Sequence, residues 1–200
     1  MDTLEAIYQR RSVKHYDPDH QMPEADLTKL LEAAIQAPTS FNIQHWRFVV
    51  IKEPELRKQI RAVGNDQTQI TDASVLIVMT ADVDAWKKDP SRYWMIAPQE
   101  VNVLILGWLG QCHEGREWLQ RDEAQRSIGM AMQTIMLAAK AMGYDSCPMI
   151  GFEIDDVAKL INLPDDHCMG PIIAIGKKTQ EVWPKPGQLP LSEVVVTDRF

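Results

Sequence analysis

Two uninterrupted apolar runs constrain the fold more than any other feature of this 200-residue chain. Ala73-Ser74-Val75-Leu76-Ile77-Val78-Met79-Thr80 and Pro171-Ile172-Ile173-Ala174-Ile175-Gly176 show no alternation of apolar and polar residues. A strand with one wet face alternates, so these runs predict strands buried on both faces. Such a sheet needs helices above and below it. The stripe Ile128, Ala131, Met132, Ile135, Met136 and Ala139, within 122–142, supplies one helix and ends at Gly143, a natural C′ residue. Leu27, Leu30, Leu31, Ala34 and Ile35 supply another, opened by Pro23 and stopped by Pro38. The expected fold class is α+β, a single domain over 1–200 with a central mixed β-sheet sandwiched by helices.

The remaining segments fill in around that frame. Leu4, Ile7 and Tyr8 predict a short first helix behind an Asp2 or Thr3 cap. Trp46–Ile51 and 144–149 read as strands, and 56–63 and 155–163 as short helices. Residues 82–98 are irregular. Val101 to Trp108 is apolar nearly all round, which predicts a helix packed against something, a partner subunit included. The Pro-rich arm, 183–200, ends in the isolated run Val194-Val195-Val196. Such a run must pair with something, and exchange onto a neighbouring copy is the expected answer.

Charge and cysteine usage exclude several classes of function. A formal net charge of −7 argues against nucleic-acid binding and against a polybasic membrane anchor. No apolar run approaches the ~20 residues of a membrane span. Met1-Asp2-Thr3-Leu4-Glu5 lacks the basic and apolar regions of a signal peptide. Cys112, Cys147 and Cys168 form no even disulfide framework, so a reducing, cytoplasmic setting is expected. The pairs Cys112-His113 and His167-Cys168 lack metal-ligand spacing, and no metal site is expected. Cys147 has no recognisable base beside it, and His15, His20 and His45 read as polar-loop residues. No G-x-G-x-x-G turn follows a first strand, so a Rossmann dinucleotide site is not supported.

Three stretches carry chemistry. In extended backbone, Arg10, Ser12 and Lys14 point to one side together, giving a guanidinium, a hydroxyl and an ammonium suited to a phosphate monoester. The same residues also suit a solvated basic helix end. The loop Pro38-Thr39-Ser40-Phe41-Asn42-Ile43-Gln44-His45 offers small hydroxyls and amides to a polar heterocycle, or forms an ordinary capped loop. Pro148 and Gly151 bracket a turn in Gly143–Phe152 where outward N–H groups can meet the ring nitrogens of a flat ligand.

Together, in this order and spacing, these stretches resemble the FMN-dependent nitroreductase family. Gln67, Gln69, Asp72 and Ala73 before the second strand, Gly176-Lys177 after the last, and the tail Leu189-Pro190-Leu191-Ser192-Glu193-Val194-Val195 add to the resemblance. It implies a domain-swapped homodimer with exchanged C-terminal arms and two FMN sites at the interface. Arg10, Arg11, Ser12 and Lys14 would hold the phosphate and ribityl groups. Pro38, Thr39, Ser40 and Asn42 would approach the flavin from the other subunit. Gln69, with Asn65 or Asp66, would reach the pyrimidine edge. Pro148, Met149, Ile150 and Gly151 would bind the cofactor, with Met149 and Ile150 against the ring and an Ile150 or Gly151 amide near N5. NADPH or NADH would reduce the flavin, and a nitroaromatic or quinone would reoxidise it in a ping-pong cycle with no catalytic side chain. Other flavin chemistry (dehalogenation, dehydrogenation) or non-catalytic flavin binding are the alternatives. Many relatives carry a Lys where this chain has Gln69 and an Arg where it has Gln188, which leaves Lys177, Lys178 and Lys185 as candidates to compensate.

Overall fold

The computed structural model describes residues 1–200. The chain runs α1 (Thr3–Gln9), α2 (Glu24–Ala34), a 3-10 turn (Ser40–Asn42), β1 (Trp46–Val50), α3 (Pro54–Ala62), α4 (Gln69–Asp72) and β2 (Val75–Asp82). It continues through α5 (Ala85–Lys88), a 3-10 segment (Pro90–Trp94), α6 (Gln99–His113), α7 (Glu117–Ala141), β3 (Asp145–Met149), α8 (Ile154–Leu160), β4 (His167–Gly176) and α9 (Leu191–Val194).

The four strands form one sheet in the order β1-β2-β4-β3. The two long apolar runs are its centre, and every residue of β2 is buried. Alternation then splits the core in two. Ile77, Met79, Ile173 and Ile175 face α2 and α7, meeting Leu27, Leu30, Ile128 and Ile135. Leu76, Val78, Ile172 and Ala174 face the other way, meeting Val13, Tyr16, Ile60, Ile70 and Val157. Fully burying a residue of this kind contributes about 1.5–3 kcal/mol, so these two clusters are what hold the layers together.

The ladders are antiparallel throughout. The mixed character expected of the sheet is confined to one parallel bridge, Ser12 to Ser146, where the stretch after α1 runs beside β3. Helix ends follow local chemistry. Asp2 accepts from the Glu5 N–H at 2.8 Å and caps α1. Gly143, at φ 81, terminates α7 in the left-handed region that a side chain disfavours. Helix α2 stops at Ala34, earlier than Pro38 alone requires, and α7 starts at Glu117, earlier than its apolar stripe.

Three apolar surfaces stay uncovered in the single chain. Helix α1 buries only Ala6 and exposes Leu4, Ile7 and Tyr8. Helix α6 exposes Val101, Val103, Leu104 and Trp108 while burying Leu109. The end of the arm is not a strand here: Leu191–Val194 is one helical turn, and Val194, Val195 and Val196 are exposed. No strand of the same chain lies beside them to supply ladder partners.

Gly170 marks the tightest packing between β4 and α7. The β2–β4 register shifts between Val78 and Thr80, and a Cβ on Gly170 would sit 2.7 Å from Ile128 Cγ2 and 3.0 Å from Met79 O. Gly170→Ala is therefore expected to destabilise the fold by about 1–3 kcal/mol, read as a lower midpoint in urea unfolding.

Candidate functional site

The stretch after α1 is positioned by its own alternation. Val13 is buried in the core, its N–H donates to Ser146 O at 3.1 Å, and the residues on either side of it turn outward. Arg10, Arg11, Ser12 and Lys14 consequently line one cleft of about 630 Å³, whose far wall is the arm segment Gln180–Pro186. Arg11 Nη1 donates to Tyr8 O at 2.7 Å and Arg10 O at 2.9 Å, so part of this guanidinium closes the end of α1. Lys185 lines the same cleft and lies 3.4 Å from Ile7 O. Of the other two lysines, Lys178 pairs with Glu181 at 3.1 Å. Lys177 donates to Gly143 O at 2.6 Å and sits 4.1 Å above the Tyr144 ring.

The electrostatics of this cleft are unbalanced. None of Arg10, Arg11, Lys14 and Lys185 has a carboxylate within ion-pairing distance, although the protein is acidic overall. Arg10 Nη1 and Ser146 Oγ are buried with no hydrogen-bond partner. A buried donor left unmatched costs about 1–3 kcal/mol, more for a charged group. Such a cost is tolerable where a ligand restores the bond. The donor set is that of a phosphate site: two guanidinium groups, two ammonium groups and a hydroxyl, the one carboxylate of the lining, Glu181, being paired with Lys178. Behind it, burial pushes the Cys147 thiol above its usual range, with Lys14 and Arg10 pulling the other way. Cys147 is thus a core thiol rather than a nucleophile.

A second feature lies at the opposite end of β3, roughly 13 Å from Ser146 at about 3.3 Å per residue. Beyond Met149 the chain turns, leaving Ile150 79% exposed. The N–H groups of Ile150 and Gly151 donate to nothing within the chain. The segment 63–69 clamps this turn. Asn65 Nδ2 and Gln67 Nε2 both donate to Gly151 O, at 3.0 and 2.9 Å, and Glu153 N–H donates to Val63 O at 2.9 Å. Asn65 and Asp66 reach this position through positive φ values of 54° and 51°. Gln69 is buried beneath them, with Nε2 2.9 Å from Gln67 Oε1. Gln67 joins Asn65, Gln69 and Gly151 as a residue of this corner. Its signal was the Asn65-Asp66 pair just before it, since Asn and Asp tolerate the left-handed turn that aims the segment at residue 151.

The third predicted stretch is elsewhere. Pro38–His45 packs on a small satellite core of Ile43, Ala85 and Leu109, with Phe41, Trp86 and Tyr93 around it. Thr39 Oγ1 accepts from Gln44 N–H at 3.1 Å, and Asn42 Nδ2 donates to Tyr93 O at 2.9 Å. Phe41, Asn42 and Gln44 all have positive φ. Pro38, Thr39, Ser40 and Asn42 line no part of the cleft at Arg10–Lys14 of the same chain.

His45 is fully buried rather than a polar-loop residue. Its Nδ1 lies 3.0 Å from Ser127 Oγ, and burial, with nearby His113, lowers its pKa to about 4. The acidic group Asp82, Asp166 and His167 comes together as well, but Lys88 Nζ already sits 2.7 Å from both carboxylates.

A neutral buried His makes stability sensitive to acid. The folded pKa lies below the ordinary histidine value of 6.5, so the unfolded chain binds the extra proton between these values. Stability present above that value is lost as pH falls toward 4. Urea unfolding at pH 7 and pH 5 is expected to show a loss from this group of about 2 kcal/mol, which His45→Gln abolishes.

The chain as a whole is similar to known proteins. The pattern described as the nitroreductase family matches residues 7–177. Protein DrgA of Synechocystis is 58% identical over 200 residues, covering 98% of this chain and 95% of its own. YodC of Bacillus subtilis, named as an NAD(P)H nitroreductase, is 30% identical, covering 96% of this chain and 97% of its own. Among solved structures, a nitroreductase from Exiguobacterium sibiricum in complex with FMN superposes with a TM-score of 0.90 at 27% identity, over 98% of this chain and 97% of that one. The chain belongs to the nitroreductase family.

Proposed function

We propose that this protein is an FMN-dependent NAD(P)H oxidoreductase, acting as a homodimer on small flat electron-poor acceptors such as nitroaromatics or quinones. The observation that carries the reading is the pairing of two features along β3. One end has cations without carboxylate partners, including the buried and unmatched Arg10 Nη1; the other has a turn with free Ile150 and Gly151 amides. A ligand with a phosphate at one end and a planar heterocycle at the other fits both. The names of YodC and the FMN-bound Exiguobacterium structure support FMN as that ligand.

In this reading Arg10, Ser12, Lys14 and Lys185 bind the phosphate, and Arg11 contributes the part of its fork not engaged at the end of α1. Lys185 is the lysine that makes up for Gln188, because it alone of the three candidates lies in the cleft. Pro148, Met149, Ile150 and Gly151 support one face of the ring, and Asn65 and Gln69 meet its polar edge. Pro38, Thr39, Ser40 and Asn42 come from the other subunit, since their own chain holds them against the satellite core. The exposed apolar faces of α1 and α6 and the unpaired Val194–Val196 are the surfaces that dimerisation and arm exchange would cover. Bound FMN supplies the hydride chemistry, accepting from NAD(P)H and passing electrons to the acceptor. The protein's part is to bind, orient and present an open face on which the two substrates alternate.

The test is the visible spectrum of purified protein under anaerobic conditions, before and after NADPH. Oxidised-flavin absorbance that bleaches with NADPH and returns with a quinone or nitroaromatic supports the reductase. A flavin band that does not bleach points to other flavin chemistry or to plain flavin binding. A colourless protein that takes up no added FMN overturns the proposal. Arg10→Gln and Lys185→Gln are each expected to weaken FMN binding by about 10- to 100-fold, the value of one charge-assisted hydrogen bond, as read by fluorescence titration.

A further inference from the structure

Gly151 O, in the turn after β3, sits in a series of hydrogen bonds that run in one direction through Gln67. Gln67 faces two carbonyls, Gly64 O at 3.1 Å and Gly151 O at 2.9 Å. Carbonyl oxygens only accept, so the NH2 of Gln67 must point at them and its Oε1 must point away. That Oε1 receives Gln69 Nε2 at 2.9 Å, from a side chain only 3% exposed. The peptide unit that ends in Gly151 O also carries the Phe152 N–H, which donates to Ile150 O at 3.0 Å. The peptide unit that ends in Ile150 O carries the Gly151 N–H, which has no partner in the chain.

The sequence of donors is therefore Gln69 NH2, Gln67 NH2, Phe152 N–H and finally Gly151 N–H, each amide accepting at one end and donating at the other. Aligned bonds of this kind polarise one another, so drawing electron density through Gly151 O makes the Gly151 N–H a stronger donor. Asn65 Nδ2 reinforces the middle of the chain at 3.0 Å. No free cation takes part at this end. Arg61, the guanidinium that braces the segment, is paired with Asp66 at 2.6 Å.

We infer that Gln67 is a positioning residue, which through Gly151 O fixes the direction and raises the donor strength of the Gly151 N–H toward an electron-rich ring nitrogen of the bound flavin. A stronger donor at that nitrogen draws electron density from the ring, favouring the reduced cofactor over the oxidised one. This inference rests on the FMN reading above. A loop staple alone would fix the turn without changing that preference.

Gln67→Leu removes both donors and the acceptor at similar size, and Gln67→Glu keeps the length but cannot donate to Gly151 O. In the full-length FMN-loaded protein, spectroelectrochemical titration is expected to show the preference for reduced over oxidised FMN falling about tenfold in both variants. That is a midpoint potential about 30 mV lower for a two-electron couple. The Gly151 amide proton, followed by NMR in the full-length chain without FMN, is expected to move upfield in Gln67→Leu. This second measurement survives a variant that binds FMN poorly. A midpoint within twofold of wild type, or an unmoved Gly151 resonance, would overturn the inference. A wild-type chain that takes up no FMN would instead overturn the cofactor reading, and this inference with it.

Discussion

Burial of β2 on both faces is the constraint from which the rest of the architecture follows. Its eight residues have no solvent face, so helices must cover both sides and strands must flank both edges. Once β4 and β1 take those edges, β3 is pushed to the rim, where it can pair with β4 on one side and the Arg10–Lys14 stretch on the other. An edge strand has spare backbone groups and solvent beside it. The candidate site is built along that edge, with the rigid centre of the sheet as its support.

The balance of charge gives the site its chemistry. A protein of net charge −7 could neutralise each cation with a neighbouring acid, and much of this surface does so, from Lys52–Glu24 to Lys159–Asp156. The cleft is an exception. Its four cations have no carboxylate within ion-pairing distance, the lining Glu181 being paired with Lys178, and Arg10 Nη1 is withdrawn from water as well. At the other end of β3 the side chains at the turn are the amides of Asn65, Gln67 and Gln69, and the nearby Arg61 is paired with Asp66. One ligand with an anionic end and a polar, uncharged heterocyclic end satisfies both.

Much of this was legible in the sequence because the signals were local. The buried strands, the α2 and α7 stripes, the cap at Asp2 and the outward alternation of Arg10, Ser12 and Lys14 each depend on residues within a few positions of one another. What was hidden depends on long-range contact. His45 reads as a loop residue but is buried because α6 and α7 close over it. Gln67 gains its place only when the turn at Gly151, 84 residues away, comes to meet it. The Val194–Val196 run has strand-like residues, yet no strand forms where no edge is offered within the chain. Lys177, Lys178 and Lys185 are equivalent in sequence, and packing alone distinguishes them, by giving two of them other partners.

In the proposed dimer one chain supplies the phosphate cleft and the amide-bearing turn while a second copy supplies the 38–42 loop. A crystal structure of the FMN-loaded protein tests it most directly. The expected result is the FMN phosphate within hydrogen-bond distance of Arg10 and Lys185, the ring beside the Gly151 N–H, and Ser40 or Asn42 of a second copy at the same ligand. FMN bound elsewhere, or bound by a lone chain with its own 38–42 loop at the ring, would contradict it.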